Sequence, residues 1–364
     1  MIRLSSTSVP RHADHDGSPG NSPWLSVLIP VYNVKNYLRE CLASVLAQAD
    51  AGVEVWMADD CSSDGTTELV QALVAEHAGG PVPVRALIQT RNQGPSVSRN
   101  ALLQQARGEY IWFLDADDCL QPGAMARLRE VVDQHAPGLV MCDFAMLRLR
   151  KKLKYRLRGE MHRHTFFGPE RQLISDPAVL LRGLFEAGHL HVWSKIAKRQ
   201  VWGEQLRFPV GRYFEDVTLT PRLVLQAGSV WYEPEVWVAY RQHEGSILAT
   251  PNLIKADHQV HALVTLRETA DRLGLDEHAR FPWAHFVACA FIGASRTAER
   301  GLPGRWGGTV AVFRQAFEQS SPLSTRALLQ AYLWRGWWGR AIRLAYWLKR
   351  AEGESTMAAD SGFA

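Results

Sequence analysis

Tyr110-Ile111-Trp112-Phe113-Leu114-Asp115-Ala116-Asp117-Asp118 is an apolar run that closes on a cluster of carboxylates. A short apolar run of this kind reads as a buried strand, so the acids stand at its C-terminal end. The same pattern occurs twice upstream. Leu25 to Val31 is a Val-, Leu- and Ile-rich run whose Pro30, Tyr32 and Asn33 end it in a turn. Val53 to Met57 closes on Asp59-Asp60. Polar clusters at the ends of three separate strands are not what a random scatter of surface acids would give.

Helical spacing fills the gaps. Val34, Tyr37, Leu38, Cys41, Leu42, Val45 and Leu46 recur on one helical face. Asp64 can cap a helix carrying Leu69, Val70, Leu73 and Val74. Val84 to Ile88 reads as a third strand, and Arg91 to Pro95 as a loop opening a helix through Ala106. Pro122 opens another helix, and Leu139 to Phe144 reads as a fifth strand. Alternating strands and helices predict an α/β fold, a mainly parallel sheet with helices on both faces. Ligands of such sheets bind beyond the carboxyl ends of the strands.

The oxygen-rich group at Asp115, Asp117 and Asp118 suits a hard divalent cation, Mn²⁺ or Mg²⁺. With so few carboxylates, the cation would keep positions for phosphate oxygens and water, and would neutralise a diphosphate leaving group. The alternative is that Asp117-Asp118 caps a following helix.

Four segments, in order, carry a resemblance. Ser26-Val27-Leu28-Ile29-Pro30-Val31-Tyr32-Asn33 is similar to the opening of family 2 glycosyltransferases. Asp59-Asp60-Cys61-Ser62-Ser63-Asp64-Gly65-Thr66 resembles that family's acidic loop, with Cys61 where Gly is usual. Asn92-Gln93-Gly94-Pro95-Ser96-Val97-Ser98-Arg99-Asn100 resembles a third segment, with Ser98 in place of Ala, and Phe113 to Asp118 resembles the metal motif. The likeness covers about Leu25 to Phe144 and continues more weakly to Ser246.

The resemblance implies a GT-A fold, a Rossmann-like mixed sheet flanked by helices, with a C-terminal helical extension. It implies an inverting, metal-dependent, hexosyltransferase-type enzyme that moves a sugar from a nucleotide-sugar, a UDP-sugar in the first instance. Pro30, Tyr32, Asn33, Asp60, Asn92, Gly94, Arg99, Asp115 and Ala116 would bind the nucleotide-sugar. Among them, Asp60 would accept from the base, Arg99 would approach the nucleotide or its phosphates or simply pair with an acid, and Asp115 would lie near the ribose. Asp117 would ligate the metal, with His243 as a further ligand or an ordinary hydrogen-bonded residue.

Inverting transfer needs one general base for the acceptor hydroxyl. Gly211-Arg212-Tyr213-Phe214-Glu215-Asp216-Val217 resembles the family's second acidic motif and places an acid pair at a helix start. Asp216 is the first candidate for the base and Glu215 the second; the competing role is a cap that complements the helix dipole. Val192 to Ile196 resembles a segment upstream of that pair, in which Lys195 would meet phosphate or acceptor or remain a solvated lysine. Tyr240 to Ser246 resembles a later segment whose Arg241, His243 and Ser246 would return to the diphosphate. His189 and His191 receive no role.

Composition narrows the class. At 364 residues with 46% hydrophobic and 21% charged content, the chain can bury a large core. A net charge of +4 favours anionic ligands only weakly, and no nucleic-acid-binding signature is visible. Five scattered cysteines without CxxC spacing fit a reducing cytoplasm better than a disulfide framework.

The expected organisation is a disordered tail over 1–23, a glycosyltransferase domain over 24–250, a helical region over 251–350 and a flexible tail over 351–364. Val230 to Tyr240 reads as short aromatic-rich strands. The alternating Leu147 to Arg158 segment has one very basic face. Arg326 to Arg350 mixes Trp and Tyr with cations, which fits either a peripheral contact at the inner face of a membrane or a packed helical hairpin with solvated arginines. The acceptor would be a glycan, a lipid-linked sugar or another hydroxyl, in cell-surface polysaccharide or glycoconjugate synthesis. Two other readings compete. One is a catalytically inactive module that binds nucleotide-sugar. The other is a nucleotidyltransferase, which would need a Gly-rich phosphate loop that Pro30 to Asn33 does not supply.

Overall fold

The computed structural model describes residues 22–147, 161–242, 252–303 and 306–360, with side chains as far as Glu352. Nine strands form one mixed sheet: β1 (Leu25–Val31), β2 (Val53–Asp59), β3 (Val84–Ile88), β4 (Tyr110–Phe113), β5 (Cys119–Leu120), β6 (Leu139–Leu147), β7 (Leu173–Ile174), β8 (Lys195–Lys198) and β9 (Val230–Arg241). Their order is β3-β2-β1-β4-β8-β6-β9-β5, with β7 also on β9. The first four are parallel, as the alternating pattern predicts. β8 then runs antiparallel to both β4 and β6, so the sheet as a whole is mixed.

This order contains a reversal. The chain builds outward from β1 to β2 to β3, then returns to place β4 on the other side of β1. The crevice beyond the carboxyl ends of β1 and β4 is therefore the topological switch point. Turn Tyr32-Asn33, acids Asp59-Asp60 and acids Asp115 to Asp118 all open there. Because β2 and β4 flank β1 directly, their ends are separated by two strand spacings, roughly 10 Å.

Helices cover both faces. One face carries α1 (Leu38–Leu46), α2 (Thr66–Glu76) and α4 (Ala124–His135) over a core of Val27, Ile29, Val55, Met57 and Trp112. In α1 the buried side chains are Leu38, Cys41, Leu42 and Val45, the i, i+3, i+4, i+7 stripe that the sequence shows. The other face carries α3 (Pro95–Gln105), α5 (Pro177–Ala187), α6 (Arg199–Trp202) and α7 (Glu215–Gln226). Its core runs on without a break into the C-terminal helices. These are α8 (Leu253–His261), α9 (Arg267–Arg272), α10 (Glu277–Gly301), α11 (Gly307–Ser320), α12 (Thr325–Trp334) and α13 (Trp338–Asp360). No helix among the described residues is long and apolar enough to cross a membrane.

Local signals set most boundaries. Asp176 accepts from the Ala178 amide at 2.8 Å and Pro177 opens α5, as a cap followed by proline should. Three expectations need correction. Helix α4 begins at Ala124, not at Pro122, because Gly123 takes a left-handed conformation ahead of it. Asp117-Asp118 cap no helix, since a two-residue strand, β5, follows them. Val230 to Arg241 is one long strand rather than several. Glu233-Pro234-Glu235 breaks its apolar pattern, but a register shift against Cys142 and Asp143 absorbs the proline, which cannot donate to a ladder. The Arg148 to Arg158 face lies outside the described residues.

Candidate active site

One side of the crevice is three turns joined by hydrogen bonds. Asn33, at φ 51°, donates its amide to Ser62 Oγ at 2.9 Å and accepts from the Ser63 amide at 2.8 Å. Asp60 is buried, its Oδ1 accepting from the Gln93 amide at 2.8 Å and its Oδ2 from the Gly94 amide at 2.7 Å. Those bonds fix the third turn against β2. A contact to a nucleotide base would use the remaining lone pairs of the same oxygens. Gly94 has φ 87°, which explains a glycine before Pro95. Tyr32 is half exposed and forms an aromatic rim, Asn33 and Asn92 are exposed, and Pro30 is partly buried beneath them.

Cys61 adopts φ 58°. The chain keeps the backbone that a glycine would favour and tolerates a Cβ there, at a cost of order 1 kcal/mol. Asp64 bonds the Thr66 amide at 3.0 Å and the Lys35 amide at 3.2 Å, a local bracing role.

The centre of the site is Arg99. Almost fully buried on α3, it donates from Nη2 to Asp115 Oδ1 at 2.9 Å and from Nη1 to Glu215 Oε1. Burial alone would lower its pKa; Asp115 and Glu215 more than reverse that, and it is raised. Two segments a hundred residues apart, at Asp115 and Glu215, thus meet at one guanidinium. Asp115 and Asp117 are partly buried, Ala116 and Asp118 fully. Asp118 Oδ1 accepts from the Arg241 amide at 2.7 Å, while its Oδ2 is buried without a hydrogen-bond partner. Burial, then repulsion from Asp117 and Asp115, pushes the Asp118 carboxyl well above its usual range. An orphaned buried oxygen within a concentration of negative charge is what a divalent cation would relieve, so the donor set fits Mn²⁺ or Mg²⁺.

Arg241 closes the acidic loop, its Nε donating to the Asp117 carbonyl at 2.8 Å and its Nη2 to Glu40 at 2.7 Å. His243 and Ser246 lie outside the described residues.

Glu215 and Asp216 open α7, preceded by Phe214 at φ 61°, a left-handed conformation that is uncommon for a bulky residue. The pair is split electrostatically. Burial raises Glu215, Arg99 opposes this, Asp216 adds to it, and the net shift is upward. Burial would raise Asp216 too, but the neighbouring His191, then Arg99, outweigh it and hold the carboxyl below its usual value. His191 Nδ1 lies 3.6 Å from Asp216 Oδ2. Its ring stacks on Trp193 at 4.8 Å, and Phe144 and Tyr240 complete an aromatic wall.

His191 is the site residue that sequence reasoning passed over. The usable signal was its period-two spacing from Trp193, just ahead of the resemblance at Val192 to Ile196. Lys195 is fully buried rather than solvated; its Nζ donates to the His189 carbonyl at 2.6 Å and to Ser194 Oγ at 2.8 Å, and burial lowers it to about 7.

A mixed sheet with this switch point, an acidic cluster there and a second acid pair brought to it are the architecture of the GT-A fold. Residues 26–185 match the family described as Glycosyl transferase family 2.

Glycosyltransferase GlyA of Streptococcus pneumoniae is 26% identical over 247 residues, covering 66% of this chain and 33% of that protein. Succinoglycan biosynthesis protein ExoO of Rhizobium meliloti is 29% identical over 251 residues, covering 68% and 67%. The chain thus spans a third of the first relative and two thirds of the second. Among solved structures, S. aureus TarS in complex with UDP-GlcNAc superposes with a TM-score of 0.65 at 20% identity, covering 91% of each chain.

Proposed function

We propose that this enzyme transfers a sugar, with inversion, from a UDP-sugar to an acceptor hydroxyl. The observation that carries the reading is the Arg99 bridge, which sets the acid pair of α7 beside the acidic cluster after β4. Asp216 takes the acceptor's proton as that oxygen bonds to the anomeric carbon. The bond from that carbon to the diphosphate oxygen breaks, and the nucleoside diphosphate leaves with the electron pair. Asp216 suits this better than Glu215, because Glu215 is held by Arg99 while Asp216 stays ionised at neutral pH beside His191.

Asp117, with Asp115 and Asp118 around it, would hold Mn²⁺ or Mg²⁺, and His243 is proposed as a further ligand. When bound, the cation supplies charge neutralisation for the departing diphosphate. Tyr32, Asn33, Asp60, Asn92 and Gly94 form the nucleotide wall. The TarS complex with UDP-GlcNAc supports a UDP-sugar as the first donor to try. The name of ExoO supports polysaccharide assembly as the setting.

We place the acceptor at the cytoplasmic face of a membrane. Trp334 is 90% exposed, Trp338 62% and Ile342 68%, and Tyr346 continues the stripe one turn on. No acid lies between Glu318 and Glu352, a stretch holding Arg326, Arg335, Arg340, Arg343, Lys349 and Arg350. Exposed aromatic side chains among these cations, of which Arg350 pairs with Glu299 at 2.7 Å, suit the headgroup zone of an anionic bilayer.

The test is a donor screen. UDP release from one of a panel of UDP-sugars, with Mn²⁺ present and an acceptor supplied, is the expected result. Binding of UDP-sugar without release across acceptors would instead identify an inactive binding module, and pyrophosphate release a nucleotidyltransferase. Asp117→Ala should lose the metal dependence of UDP binding.

A further inference from the structure

The segment after the basic stretch returns alongside β6. Phe144 and Arg163 form an antiparallel bridge, amide to carbonyl at 3.2 and 2.7 Å in the two directions. One register step away, Asp143 stands opposite His164, and His162 shares the face of His164 because alternate residues of an extended chain point the same way. The His162-Arg163-His164 pattern therefore delivers two imidazoles to one carboxylate.

Both converge on a single oxygen. His162 Nε2 lies 2.7 Å and His164 Nδ1 2.9 Å from Asp143 Oδ2. The three donor atoms all lie within 4.8 Å of one another. Asp143 has no exposed surface and, among the described residues, no lysine or arginine pairs with it. Its carboxylate is held from behind: Tyr232 Oη lies 2.9 and 3.0 Å from its two oxygens, and the Thr165 amide donates to Oδ1 at 2.9 Å. The imidazoles are the accessible half, each more than two fifths exposed.

We propose that Asp143, His162 and His164 bind Zn²⁺ or a similar first-row divalent ion, separately from the acidic cluster at Asp115 to Asp118. Two imidazoles and one carboxylate are a set that zinc favours, whereas an all-oxygen set favours Mg²⁺ or Mn²⁺. Donors about 2.0–2.1 Å from a tetrahedral ion stand roughly 3.3 Å apart, so the nitrogens need to retreat from the carboxylate by only about half an ångström. Tyr232 and the Thr165 amide provide the outer contacts that fix a ligating carboxylate. The fourth position is left to water.

The place is distinct from the transfer site. Phe144, the next residue on β6, turns to the other face and packs against His189, His191 and Trp193 beside Asp216. A bound ion would cross-link the returning segment to β6 and, through Tyr232, brace it against β9. It would act as a structural clamp and does not depend on the proposed sugar transfer.

The test uses the full chain, stripped with a chelator and titrated with Zn²⁺ by calorimetry without nucleotide. One equivalent should bind in the wild type and in Asp117→Ala alike, and raise the melting temperature of both. The His162→Ala/His164→Ala protein should bind at least about tenfold more weakly and lose the thermal shift. Since that double variant could misfold, His162→Ala alone, at an exposed position, is read beside it with circular dichroism. Co²⁺ added to the wild type should give the intense visible bands of a tetrahedral site. Absence of binding, binding indifferent to the histidines, or binding lost in Asp117→Ala would each reduce the cluster to a hydrogen-bonded network and overturn the proposal.

Discussion

Arg99 and Glu215 form a nearly buried ion pair that joins the start of α7 to the loop beyond β4. Its consequence is positional. Without it, neither acid pair has a reason in the local sequence to face the other. Asp115 shares the same guanidinium, so the arginine neutralises charge from both sides of the crevice.

Replacing Arg99 with Met should therefore damage the fold as well as the site. It leaves two carboxylates desolvated near Asp216 with no cation, a change that costs about 3 kcal/mol or more in comparable buried pairs. Denaturant melts should show the loss. Glu215→Gln in the Arg99→Met background should recover part of it by removing one of the stranded charges.

The two acids of α7 should separate cleanly in kinetics. Asp216→Asn is expected to lower kcat by roughly 10²–10⁴ while UDP-sugar affinity stays near wild type. Glu215→Gln should weaken stability and nucleotide affinity more than kcat, since Glu215 acts through Arg99. Steady-state rates paired with isothermal binding distinguish the two. The reverse pattern would make Glu215 the base.

The pH profile of kcat/KM should carry the imprint of His191. Asp216 is held below its ordinary value, so it remains deprotonated as pH falls, and the acidic limb should lie below the usual carboxylate range. His191→Gln removes the largest favourable contact and should move that limb upward. The stability that this depressed carboxyl contributes is present above its unfolded pKa, near ~3.9, and is lost as pH falls through the lower folded value. Because Glu215 and Asp216 interact, the limb reports the pair.

Cys61 offers a clean backbone test, because the side chain is exposed and its φ is 58°. Cys61→Gly should leave stability within about 1 kcal/mol, relief of strain offsetting a freer unfolded chain. Cys61→Val, β-branched in a left-handed conformation, should cost about 1–2 kcal/mol. Thermal melts of the two variants give the comparison.

Membrane contact is testable by vesicle flotation. The wild type should float with phosphatidylglycerol-containing vesicles and much less with pure phosphatidylcholine, the difference shrinking with salt. Trp334→Ser with Trp338→Ser should lower partitioning by about tenfold or more, from the apolar area no longer buried. Equal flotation of this double variant would return the stripe to a solvated surface.

Local sequence determined the strands β1 to β4, the helices between them, and the polar residues at the strand ends. Each depends on periodicity and turn chemistry within about ten residues. Leu25–Val31 and Val84–Ile88 form with the boundaries their apolar runs predict. The convergence of Asp60 and Asp115 on one edge also followed from sequence, because parallel strands joined by helices place all their carboxyl ends on the same side.

Tertiary structure alone decided the rest. It fixed which acid Arg99 would take, that His191 would support Asp216, that Lys195 would be buried, and that His162 and His164 would meet Asp143. Those contacts join segments far apart along the chain, through the antiparallel insertion of β8 and the shifted register of β9. Hydrophobic periodicity tells which face of an element is buried. It carries no record of which distant element covers that face, and side-chain charge pairing is settled only when that partner arrives.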